Sequence, residues 1–119
     1  MPKEIDYEFK RGDTKVLKKF RPVDNSNIPL TLSENDKIYF TLKRGEKGKK
    51  ILQKTIGEGI ILQDDGYYHI TLNPEDTAEL DAGSYRYDIE LNVGNYLVST
   101  LIEGEIVLLQ DITTKEDKE

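Results

Sequence analysis

The sequence predicts an all-β domain: a sandwich of about seven to nine antiparallel strands with one short helical turn near residues 74–80. Three observations predict it. Short runs alternate apolar and polar residues with period two, as half-buried strands do. Turn signals rich in Gly, Asn, Asp and Pro separate those runs every several residues, and no long helix is signalled. Of 119 residues, 36% are hydrophobic and 34% are charged. A core that thin suits two facing sheets, to which each strand sends only alternate side chains. The length suits one domain with one core, over residues 1–110, followed by a charged tail over 111–119.

Taken in order, Ile5, Tyr7 and Phe9 alternate with Asp6, Glu8 and Lys10, which predicts a first strand over 4–10. Arg11, Gly12 and Asp13 turn the chain; the same tripeptide occurs in integrin ligands, but a strand-linking turn accounts for it. Residues 14–21 read as a second strand, made basic by Lys15, Lys18, Lys19 and Arg21, with Val16 and Phe20 as inward anchors. A loop rich in Asn, Ser and Pro covers 22–32. Residues 37–43 form a clear third strand, with Ile38, Phe40 and Leu42 on one face and Tyr39 and Thr41 on the other.

The Gly- and Lys-rich run 44–50 is a solvated hairpin tip. It lacks the glycine spacing, the following Ser or Thr and the helix that a phosphate loop needs. Residues 51–56 make a fourth strand, and Gly57 and Gly59 bracket a bend or bulge. Residues 60–62 make a fifth strand, closed by Asp65-Gly66, a strong hairpin signal. The sixth strand, 67–72, turns Tyr68, Ile70 and Leu72 inward and His69 outward. Asn73 suits the cap of a short helical turn opened by Pro74.

The stretch 76–91 organises the rest. Its first half is a corner. Its second half alternates Tyr85, Tyr87, Ile89 and Leu91 against Arg86, Asp88 and Glu90. A corner running Asp81-Ala82-Gly83-Ser84-Tyr85 into a strand resembles the tyrosine corner of immunoglobulin-like sandwiches, in which the Tyr hydroxyl bonds to upstream backbone. Antibody-type domains place a Cys two residues later; Tyr87 stands there in this chain, so closure is by packing. A final strand over 96–109 is predicted to bend at Glu103-Gly104-Glu105. Both of its faces are expected to be covered over 106–109, where apolar residues are consecutive.

Composition excludes several functions. There are no cysteines and one histidine, which removes disulfides, thiolate metal sites, cysteine catalysis and any multi-histidine centre within one chain. No hydrophobic run approaches the length of a membrane span, and residues 1–11 are charged throughout, unlike a signal peptide. Folding in the cytoplasm of the producing cell is therefore expected. Net charge is −6 but uneven. Residues 1–54 hold 14 Lys or Arg against 8 Asp or Glu, a net of +6, and residues 55–119 hold 3 against 15, a net of −12. Either the two halves neutralise each other within the fold, or the basic face of one copy docks on the acidic face of the next.

Candidate chemistry is sparse. His69 lacks a nucleophile or carboxylate beside it in sequence. Asp64 and Asp65 are too few for a calcium loop and fit a turn. Glu103 and Glu105 share a strand face, a pairing that serves glycoside hydrolysis in other settings but is commonly only solubilising. Tyr39, Tyr67 and Tyr96 are candidates for a carbohydrate-stacking surface, though Tyr also covers sheets without binding anything. No cofactor is expected.

The ordered features, however, form a set: Phe9-Lys10-Arg11-Gly12-Asp13-Thr14, Ile28-Pro29-Leu30-Thr31, Asp64-Asp65-Gly66-Tyr67-Tyr68, Gly83-Ser84-Tyr85, Leu101-Ile102-Glu103-Gly104-Glu105-Ile106 and Asp111-Ile112-Thr113. This set resembles the immunoglobulin-like N-terminal domain of the baseplate upper proteins of phages infecting Firmicutes, and related small prophage virion proteins. The resemblance spans roughly residues 7–113; this chain ends where baseplate upper proteins continue. It implies a non-enzymatic structural protein of the virion, made in the bacterial cytoplasm. Such a protein would contact other virion proteins and copies of itself, with no nucleic acid or membrane partner. A capsid or neck decoration protein and a carbohydrate-binding module for host attachment are the alternatives. The corner residues Asp81, Gly83, Tyr85 and Tyr87 would hold the fold. Lys15, Lys18, Lys19, Arg21, Tyr39, Tyr67 and Tyr96 would offer the contact surface.

Overall fold

A computed structural model describes residues 3–23, 26–30, 32–33, 35–45, 48–94 and 97–110. Its strands are β1 (Lys3–Glu4), β2 (Tyr7–Lys10), β3 (Lys15–Val16), β4 (Lys37–Lys43), β5 (Lys50–Ile56), β6 (Gly59–Leu62), β7 (Tyr68–Leu72), β8 (Gly83–Val93) and β9 (Leu97–Leu109). One helical turn, α1 (Pro74–Thr77), precedes β8. The fold is all-β: one mixed sheet in the order β1-β9-β8-β4-β5-β6-β7-β3, with β2 also beside β9. The sheet curls, so that a larger arm, β1 and β2 through β5, faces a smaller arm, β6-β7-β3, across one core.

Alternation builds that core. Ile38, Phe40 and Leu42 of β4 sit opposite Leu91, Ile89 and Tyr87 of β8, and all six are buried. Ile102, Ile106 and Leu108 of β9 join them from one side, and Ile60, Tyr68, Ile70 and Leu72 from the smaller arm. Burial of such side chains stabilises by about 1.5–3 kcal/mol each before entropy is counted.

The arms are joined where β5 passes into β6. Thr55 pairs with Gly59 and Ile56 with Ile60 in parallel, so the chain makes a tight coil through Gly57 and Glu58. The Gly57 amide donates to the Ile60 carbonyl and the Glu58 amide to the Thr55 carbonyl, each at 2.9 Å. Gly57 and Gly59, at φ of 89° and 100°, supply the left-handed backbone that the coil requires.

The N-terminal strand runs parallel to the last one. Lys3 pairs with Ile102 and Tyr7 with Ile106, so β1 and β2 hold one register along β9 and are interrupted only at Ile5 and Asp6. There the Ile5 carbonyl tucks over Gly104. A Cβ on Gly104 would stand 2.0 Å from that oxygen.

Several expectations change. The strands are not all antiparallel in two separate sheets: β1 and β2 run parallel to β9, and β5 to β6 through the tight coil at Gly57, so one mixed sheet curls on itself. The predicted second strand shrinks to Lys15–Val16 plus a bridge between Phe20 and Tyr68. Val16 is not an inward anchor: it is 55% exposed, and Leu17, at 2%, takes its place. The Leu17 amide donates to the Ile70 carbonyl, and the chain then leaves the ladder before Phe20 turns inward, a spacing of three that strand alternation does not reveal. At Gly104 the ladder with β8 runs unbroken, and the interruption is on the other side of β9, between β1 and β2. The register shift between β8 and β9 lies where Ile89 meets Ile102 and Glu90 meets Thr100, leaving Leu101 as the extra residue. Over 106–109 only one face is covered, because Ile106 and Leu108 are buried while Leu109 is exposed. Tyr96, Asp111-Ile112-Thr113 and the rest of the tail lie outside the described residues.

Candidate functional site

The corner before β8 is held by two kinds of contact. The Tyr85 hydroxyl donates to the Asp81 carbonyl at 2.6 Å. The Arg44 guanidinium lies over the Tyr85 ring, 4.5 Å from its centroid, and covers Gly83. Tyr87, one turn of the pleat further on, reaches across position 104 and donates to the Ile5 carbonyl at 2.5 Å. Its ring also stacks on Phe40 and leans on Tyr7. Burial pushes the Tyr87 phenol up, with Tyr7 and Asp6 adding to the shift. Asp81, Gly83, Tyr85 and Tyr87 are thus framework residues facing inward or lining the corner.

The outer face of the larger arm is a broad exposed surface. Pairing arranges its side chains in rows across the strands. One row runs Gln53, Thr41, Asp88, Glu103, Glu4; a second runs Lys43, Arg86, Glu105; a third runs Thr55, Tyr39, Glu90, Thr100. Two open concavities lie along these rows. The first is lined by Thr41, Lys43, Arg86, Asp88 and Glu103, and the second by Tyr39, Lys50, Gln53, Asp88 and Glu90. Burial, then Glu90 and Glu103, hold the Asp88 carboxyl above the usual range, with Lys43 acting against them.

Charge is graded across this arm. β4 and β5 carry Lys37, Lys43, Lys50 and Lys54 and no acid. β9, β1 and β2 carry Glu103, Glu105, Glu4 and Glu8 against Lys3 and Lys10, and Asp6 lies between β1 and β2. A charge difference between opposite margins of the arm results, although β1, β2, β4 and β5 all come from the basic half of the sequence. It is partly neutralised inside: Lys54 Nζ meets Asp76 Oδ2 at 2.9 Å, with side chains only 9% and 12% exposed. That pair ties β5 to α1, and Asp76 also accepts from the Asn73 amide at 2.7 Å. Sequence reading missed it because a lysine at an inward strand position looks like a break in the pattern.

The proposed contact residues do not gather in one place. Lys15 lies over the Tyr7 ring at 5.7 Å, and the Lys18 amide donates to the Tyr7 hydroxyl at 2.9 Å. Together they close the seam between β2 and the smaller arm. Lys18 beside it holds the Lys3 amine below its ordinary value. Lys19 and Arg21 sit over the Tyr67 ring, at 5.1 and 4.9 Å, and Lys19 pairs with Asp65 at 3.2 Å. A sugar approaching that side of Tyr67 would have to displace both cations. Tyr39 stands apart, on the outer face of β4, and Tyr96 is outside the described residues.

Reactive geometry is not assembled at the remaining candidates. His69 Nε2 stands 3.5 Å from Asp65 and makes no hydrogen bond among the described residues. Asp65 is spent on the turn, accepting from the Tyr67 amide at 2.9 Å. Glu105 accepts from the Ser84 hydroxyl, and Glu103 lines the concavity beside Asp88. No group of three or more His, Asp or Glu among the described residues is arranged to hold a metal ion. The arrangement offers ion pairs, backbone edges and half-exposed rings, which are the means of recognising a protein surface. Neither models of known protein families nor curated protein sequences match this chain.

Proposed function

We propose that this chain is an immunoglobulin-like β-sandwich module of a phage or prophage virion, of the tail or baseplate, acting through protein–protein contacts without catalysis. The sandwich reading is supported by the parallel pairing of the first strand with the last. It is supported also by the succession β9-β8-β4-β5 in one arm and by the Tyr85 bond that braces the corner. The virion reading rests on the resemblance of the ordered turn and strand motifs to baseplate upper proteins.

The observation that carries a contact function is the larger arm itself. It has strand edges at both margins, opposite in net charge, around a face that bears two open concavities. Free edges offer backbone pairing, and graded charge selects the partner. The test is to purify particles from an induced lysogen encoding this chain, look for it by mass spectrometry and locate it with a tagged copy in electron micrographs. Presence at the tail supports the reading; absence from particles refutes it, and a capsid or neck location moves the module within the virion.

One observation favours a second reading, a carbohydrate-binding module. Tyr39 stands half-exposed beside Gln53, Asp88 and Glu90, an aromatic ring next to hydrogen-bonding side chains. Glycan-array binding that disappears with Tyr39→Ala would establish it.

A further inference from the structure

Two edges of the larger arm are open, and they differ in what they will accept. Along Lys50–Ile56 only Thr55 and Ile56 pair with β6, so the side of β5 turned away from β4 has no strand partner over residues 50–54 among the described residues. At the far margin β1 and β2 pair with β9 alone among the described residues, and the Lys18 amide meets the Tyr7 hydroxyl there rather than the strand backbone. The β5 edge carries Lys50, is flanked by Lys49 and has Lys43 on the next strand. The opposite edge carries Glu4 and Glu8 against Lys3 and Lys10, with Asp6 between β1 and β2 and Glu103 and Glu105 on the next strand, so this margin is acidic on balance.

Like edges repel. Two β5 edges would set lysines against lysines, and two β1–β2 edges would bring two net-acidic margins together, which is how exposed edges are guarded against pairing with themselves. Unlike edges attract. Strand direction also fits. β1, β2, β9 and β4 run one way, and β8 and β5 the other. A second copy, displaced in the plane of the sheet without being turned over, therefore presents β1 and β2 antiparallel to β5. Its outer face continues the outer face of the first. The added strand also shelters Ile51, an exposed apolar side chain on β5.

We infer that copies of this chain join head to tail, the free β5 edge of one receiving the β1–β2 edge of the next. The contact is heterologous, so it propagates. Adjacent strands are rotated by roughly 20–25°, so five strands turn each copy by about 100–125° relative to the last. The product is a helical stack or a small ring, not a flat ribbon. This inference rests on the contact function proposed above and names the partner as the chain itself.

Charge reversal in two halves tests it. Sedimentation of the wild-type chain at low salt is expected to show a weight-average mass rising with concentration to at least about twice the monomer, and falling back at high salt as the ion pairs are screened. A Lys43→Glu, Lys50→Glu variant has two acidic margins and is expected to stay monomeric. A Glu4→Lys, Glu8→Lys variant has two basic margins and is expected to stay monomeric as well. Mixed in equal amounts, the two variants present complementary margins and association returns; circular dichroism confirms that each is folded. A wild-type chain that is monomeric at every concentration and salt overturns the inference, as does either variant associating as the wild type does. A monomeric chain that is nonetheless found in purified particles refutes the self-pairing alone and leaves the virion reading standing.

Discussion

Gly104→Ala is expected to detach the N-terminal strand. The new Cβ would lie 2.0 Å from the Ile5 carbonyl oxygen, 2.8 Å from the Ile5 carbonyl carbon and 2.9 Å from Asp6 Oδ1. Ordinary contact begins near 3.4 Å, so the Ile5 carbonyl must retreat by about 1.4 Å. Three hydrogen bonds cannot follow it: Ile5 amide to Glu103 carbonyl at 3.0 Å, Tyr87 hydroxyl to Ile5 carbonyl at 2.5 Å, and Glu105 amide to Asp6 Oδ1 at 2.9 Å. At about 1 kcal/mol each, the loss is about 3 kcal/mol, and a buried Tyr87 hydroxyl left without an acceptor raises it further. Urea unfolding followed by circular dichroism measures this directly, and the melting temperature should fall by roughly 10–20 °C. Tyr87→Phe supplies the internal control. Alone it should cost about 1–2 kcal/mol; on top of Gly104→Ala it should cost almost nothing, because the acceptor has already moved. A Gly104→Ala loss below about 1 kcal/mol, or additive effects in the pair, would refute the docking of Ile5 as the reason for a glycine there.

Three further outcomes are expected. Tyr85→Phe should lower stability by about 1 kcal/mol or somewhat more through loss of the bond to Asp81, while association at the sheet margins is unchanged; an unaltered melting temperature would remove the corner's role. Lys54→Met should cost about 3 kcal/mol by stranding the Asp76 carboxylate, and adding Asp76→Asn should recover most of it, since the amide oxygen can still accept from Asn73; a cycle with no recovery would show that the loss is packing alone. Asp88→Asn should stabilise the protein near neutral pH, as read from its melting temperature. The folded carboxyl binds its proton more tightly than the unfolded one, so the wild type loses stability as pH rises from the ordinary aspartate value, about 3.9, through the raised one. The advantage of the variant should therefore vanish in acid, and an advantage independent of pH would contradict that cause.

Local pattern was a reliable guide where a strand has one buried face and no irregularity. β4 occupies residues 37–43 as predicted, because Ile38, Phe40 and Leu42 alternate without interruption. The Asp65-Gly66 turn and the paired glycines at 57 and 59 were legible for a related reason: their backbone conformations are demanded by residue type. Pattern failed where the chain leaves a ladder. Val16 and Phe20 have the even spacing of a strand face, yet the break at Lys18 and Lys19 puts Leu17 inward instead. Lys54 was illegible because its burial depends on Asp76, which reaches it from another element.

The sequence by itself determined an all-β chain, its turns, most of its inward side chains and the separation of basic from acidic halves. Those follow from alternation, from the special demands of Gly, Asn and Asp, and from simple counting, all of which are local. Only the tertiary structure decided that β1 and β2 lie along β9, so that Gly104 meets Ile5 and Tyr87 finds its acceptor. It also decided that β1 and β2, from the basic half of the sequence, join β9 in a net-acidic margin opposite the basic margin of β5. Pairing between residues almost a hundred positions apart is set by how the whole core closes, and no window of neighbouring residues contains that information.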